Sequence, residues 1–63
     1  MTKLEKLKEI KFALNNLIAS RHTYLLNETI EKRLEDNAKY LQMDYEILQE
    51  VLNLIEEEKK NEI

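Results

Sequence analysis

Between Leu4 and Ile18 the apolar residues fall at Leu4, Leu7, Ile10, Leu14, Leu17 and Ile18, with mostly polar residues between them. Steps of three and four residues return to one side of a helix, so the spacing predicts a helix over 3–19. Thr2 stands where an N-cap belongs, and Glu5 three residues on completes the capping-box pattern. Phe12 lies almost opposite the apolar arc, among Glu5, Lys8, Asn15 and Asn16. Aromatic residues are enriched in interface cores, which makes Phe12 a candidate contact for a partner.

A second helix is expected over 28–42, with a narrow apolar face of Ile30, Leu34, Ala38 and Leu41. Glu28 with Lys32, and Glu35 with Lys39, stand in the favourable i, i+4 order. Asp44 has the chemistry of a cap for a third helix, expected over 44–60, with 61–63 fraying as chain ends do. Ile47, Leu48, Val51, Leu52, Leu54 and Ile55 cover nearly half the circumference of that helix, whereas a surface helix needs a stripe of roughly 100°. The third helix is therefore the expected centre of the core. Its surplus edge, Ile47, Val51 and Leu54, is the expected protein interface together with Phe12. Residues 20–27 stay open: Ser20 could cap a helix, Thr23 and Tyr24 favour a strand, and Asn27 could cap the helix that follows.

Composition sharpens this picture. The chain has 63 residues, 37% of them charged, with no glycine, no proline and no cysteine. Chains this short bury only about 60% of their unfolded surface and usually need a disulfide, a metal or oligomerisation. Without cysteine, and with one histidine, only association remains of those three. The absence of helix breakers favours long helices with short connections. No segment reads as a secretory leader, and none approaches the roughly 20 apolar residues that cross a bilayer. The expectation is a cytoplasmic protein that does not enter membranes.

Charge is divided unevenly. Residues 1–22 carry five basic and two acidic side chains, net +3, and residues 44–63 carry two basic and seven acidic, net −5. Both placements oppose the helix dipole, so attraction between the first and last helices, within a chain or across a dimer, is the better account of them.

Little in the chain can carry out a reaction. No thiolate exists, and His22 is the lone imidazole. The carboxylate pairs Glu31/Glu35 and Glu46/Glu50 have no third ligand converging on them, and no glycine-rich loop can cradle a phosphate. No enzyme, metal site or cofactor is expected. A net charge of −3 also disfavours nucleic-acid binding by electrostatics alone.

One stretch points elsewhere. Thr23-Tyr24-Leu25-Leu26-Asn27-Glu28, followed by Ile30, Leu34, Ala38, Leu41, Met43, Asp44 and Leu48, resembles the core of ribbon-helix-helix repressors. That resemblance implies a dimeric DNA-binding transcriptional regulator whose strand, residues 21–26, presents Arg21, Thr23 and Leu25 to the major groove. Leu25 departs from the polar reading residue of that pattern, and Gln42 stands where its turn usually has glycine.

The sequence thus predicts a single all-α domain, a three-helix unit or a helical hairpin, completed as a helical bundle by dimerisation. The expected function is that of a small acidic interaction or regulatory module that binds protein by helix packing. The alternative is the DNA-binding dimer.

Overall fold

In a computed structural model, residues 2–61 are described and form two long helices, α1 (Lys3–Asn27) and α2 (Glu31–Asn61), joined by three residues. They run antiparallel as a hairpin 49 Å long and 16 by 13 Å across. Among the described residues there is no strand, and no helix is long and apolar enough to cross a membrane. The fraying expected at 61–63 falls largely outside the described residues; Asn61 still belongs to α2.

The apolar pattern closes into a strict seven-residue repeat on both helices. With Leu4 as position a, the a and d sites of α1 are Leu4, Leu7, Lys11, Leu14, Ile18, Arg21 and Leu25, and the next step falls on Glu28 just past the helix end. Those of α2 are Leu34, Asn37, Leu41, Asp44, Leu48, Val51, Ile55 and Glu58. Every one except Lys11 is buried or half-buried, and among the described residues only Leu52 joins them from another position. Alternating steps of three and four are the signature of an antiparallel or parallel coiled-coil seam, and here the seam lies between the two arms of one chain. Leu7, Val51 and Ile55 form its tightest cluster, with Leu4 and Leu14 packed against them.

Two expected boundaries are absent. Residues 20–27 continue α1, because Leu25 extends the stripe of Ile18 and Arg21. The β preference of Thr23 and Tyr24 is weak beside that burial. Thr23 Oγ1 donates to the Ala19 carbonyl at 3.1 Å and Asn27 Nδ2 to the Thr23 carbonyl at 2.9 Å, so both polar side chains bond back onto the helix instead of breaking it. Likewise 28–42 and 44–60 are one helix. Asp44 caps nothing; it is buried at a d site facing α1, and its partner there, Arg21, overrides a local capping preference.

The first cap is as expected: the Glu5 N–H donates to Thr2 Oγ1 at 3.1 Å. Reversal at 28–30 needs no positive φ, and no described residue has one. Glu28 is extended, at φ −85° and ψ 133°. Its Oε1 accepts the N–H groups of Thr29 and Ile30, both at 3.0 Å, while the Tyr24 hydroxyl donates to its Oε2 at 2.5 Å. One carboxylate thus holds the backbone of the connection and, through Tyr24, ties it to the end of α1. Those donors hold the Glu28 carboxyl below the usual range, Tyr24 contributing most. The same bond raises the Tyr24 phenol, which gives up a strong acceptor if it ionises.

Candidate interaction face

Midway along the seam, apolar packing gives way to a polar cluster. Arg21 Nε donates to Asp44 Oδ2 at 2.7 Å, and Arg21 Nη1 to Asn37 Oδ1 at 3.2 Å. The same guanidinium lies 5.4 Å from the centre of the Tyr40 ring. Three sites that the repeat would ordinarily give to leucine are occupied by groups that satisfy one another. Among the described residues no buried side-chain polar atom lacks a partner. A buried polar layer of this kind fixes which residues face each other across a seam.

In an antiparallel pair, the residues just outside the seam segregate: both e rows lie on one side of the hairpin and both g rows on the other. On the e side His22 Nε2 and the Tyr45 hydroxyl share a hydrogen bond of 2.8 Å, their rings meeting edge to face at 6.0 Å. The remaining e residues are Lys8, Asn15, Ala38, Leu52 and Lys59, a largely polar row. Phe12, 69% exposed, stands beyond them over a shallow groove walled by Lys8, Lys11, Asn15, Ile55 and Lys59.

The g side is different. Its α1 row is Ile10, Leu17 and Tyr24; its α2 row is Tyr40, Ile47 and Leu54. All six are 42–51% exposed. Lys3–Glu58 at 3.3 Å, Arg21–Asp44 and His22–Tyr45 set the register, which puts Ile10 level with Leu54, Leu17 with Ile47, and Tyr24 with Tyr40. Three apolar rungs therefore cross the broad face of the hairpin. Around Arg21, Leu17 and Tyr24 border a shallow depression with Asn37. A lone coiled-coil hairpin would carry charges at g, and this one has charged residues only at the ends of the rows, Lys3 and Arg33.

The expected interface residues separate accordingly. Ile47 and Leu54 lie on the rung face, and Phe12 on the opposite side. Val51 packs inside the chain against Leu7 and Ile55, 7% exposed. The steps that single out Ile47 and Leu54 also single out Ile10 and Leu17, but only the seven-residue repeat assigns all four to one face.

Arg21, Thr23 and Leu25 do not form a reading strand. Residues 21–26 are helical; Arg21 is paired with Asp44, Thr23 bonds its own backbone, and Leu25 is half-buried at an a site. The ribbon that the repressor resemblance implies is not built. No group of three or more potential metal ligands gathers among the described residues. No known protein family, curated protein or solved structure matches this chain.

Proposed function

We propose that the chain is a non-enzymatic interaction module that binds protein by packing helices onto its g face. The observation that carries this reading is the set of three apolar rungs, Ile10/Leu54, Leu17/Ile47 and Tyr24/Tyr40. Each side chain is about half exposed and repeats every seventh residue on both helices. Scattered exposed apolar residues need no explanation; a contiguous patch in register with the seam does.

Shape supports the same reading. A protein of 7.6 kDa exposes 5093 Å² here, against about 4,300 Å² for a compact monomer of that mass. The surplus is about 800 Å², the share that each partner contributes to a standard interface. A third and fourth helix on the g face would turn an a/d seam into an a/d/g core, the wider stripe of a bundle helix.

The test is the mass of the native particle. A tagged chain recovered from the cells that make it, weighed by native mass spectrometry, is expected to travel in an assembly heavier than 7.6 kDa. Leu17→Glu with Ile47→Glu, which leaves the seam intact, is expected to release it as a single helical chain. A wild-type chain that travels alone, or an assembly indifferent to both substitutions, ends the proposal.

A further inference from the structure

Building on the g-face reading, we infer that the occupant of that face is a second copy of this chain. Two hairpins then stack face to face about a two-fold axis along their length, with both turns at the same end. The product is a four-helix bundle in which α1 of each copy lies over α2 of the other.

Area is the first argument. The broad side, 49 by 16 Å, presents about 800 Å² per copy, enough for an interface of standard stable size. The face is also self-complementary: each rung pairs one α1 residue with one α2 residue, so a two-fold axis lays rung on rung.

Charge decides the orientation. α1 carries five basic and two acidic residues, net +3, and α2 carries five basic and nine acidic, net −4. Laying α1 on the partner's α2 sets opposite charges together; laying like on like does not. The c positions, next outward from g, are Lys6, Ala13, Ser20 and Asn27 on α1 and Asp36, Met43, Glu50 and Glu57 on α2. With turns at one end, Lys6 of each copy comes level with Glu57 of the other, twice per dimer. Glu50, Met43 and Asp36 meet Ala13, Ser20 and Asn27, so no like charges face. Turns at opposite ends would set Glu57 against Asp36, also twice, and leave Lys6 beside Asn27. Such rim charges choose orientation more than they add affinity.

Sedimentation equilibrium of the purified chain, together with distances between spin labels at Thr29→Cys in the turn, tests the inference. The expected result is a dimer of about twice 7.6 kDa, with turn-to-turn distances far shorter than the 49 Å hairpin. Lys6→Glu should weaken the dimer roughly tenfold through its two sites, and adding Glu57→Lys should restore it. Leu17→Glu should give a helical monomer. A purified chain that stays monomeric overturns the inference, as does a dimer with turns about a hairpin length apart or one unmoved by Leu17→Glu. If that monomer still joins a larger assembly in the cell, the occupant is another protein and the g-face reading stands. If it is alone there too, both fail.

Discussion

The two halves of the hairpin are built on one repeat and filled in opposite ways. Toward the chain ends, the seam holds Leu4, Leu7, Leu14, Val51 and Ile55, and the only polar residues among them are Glu58, half-buried, and Lys11, exposed. Toward the turn, the same a and d sites hold Arg21, Glu28, Asn37 and Asp44, and the contacts become directional: Arg21 to Asp44 and Asn37, Tyr24 to Glu28. Apolar packing is strong but tolerates a slide of one heptad, since leucine meets leucine either way. A bonded guanidinium does not tolerate that slide. The open half therefore supplies most of the stability, and the turn half decides which residues face each other.

The most disruptive test of that division is Ile55→Ala. Truncating a buried isoleucine costs about 2–4 kcal/mol, and a 63-residue chain has only about 3–9 kcal/mol in total. We expect the melting temperature of the variant, followed by circular dichroism at fixed protein concentration, to fall by about 10–30 °C. A loss under about 1 kcal/mol would mean that the open half is not where stability resides.

Smaller, and opposite in kind, is the effect expected in the polar layer. Asp44→Ala strands a guanidinium that is 22% exposed. Removing a partner from a charged hydrogen bond costs about 1–3 kcal/mol, toward the low end here because Arg21 can still reach water. Replacing Arg21, Asn37 and Asp44 together by leucine should instead hold or raise the melting temperature, as apolar replacements of buried ion pairs often do. The same triple variant should populate more than one pairing of the helices, visible as extra amide resonances or mixed masses. A triple variant that is both less stable and uniquely folded would reverse the roles assigned to the two halves.

This division also explains what the sequence discloses. Helical class, the Thr2 cap and a core on the last apolar run all follow from short-range spacing. The number of helices does not. Asp44 has the local chemistry of a cap, and only a residue 23 positions away, Arg21, makes it a seam residue. Val51 illustrates the same limit: its apolar edge is real, but whether a helix of its own chain or of another covers it depends on pairing. The one signal that reaches that far is the unbroken seven-residue spacing from Leu4 to Leu25 and from Leu34 to Glu58. It survives only if Lys11, Arg21, Asn37 and Asp44 are admitted as seam residues, which a search restricted to apolar positions passes over.

The mildest expected effect lies in the turn, where the directional half of the molecule is most exposed. Glu28 ionises more readily in the fold than in the unfolded chain, because Tyr24 and the Ile30 and Thr29 N–H groups bond its charged form. A carboxyl so depressed stabilises the fold above the ordinary carboxylate range and loses that contribution as the pH drops through its folded value. Melting temperature should therefore fall on acidification from neutral pH, and Glu28→Gln should remove part of that fall while slightly lowering stability at neutral pH. Tyr24→Phe removes the first cause of the shift and should bring the Glu28 carboxyl back toward its usual range in an NMR titration. The other ionisable pairs stay in place in both variants, so their acid response is common to all three proteins and cancels in the comparison. Identical acid profiles for wild type and Glu28→Gln would mean that the turn follows the seam passively, leaving register to the pairs along it, Lys3–Glu58, Arg21–Asp44 and His22–Tyr45.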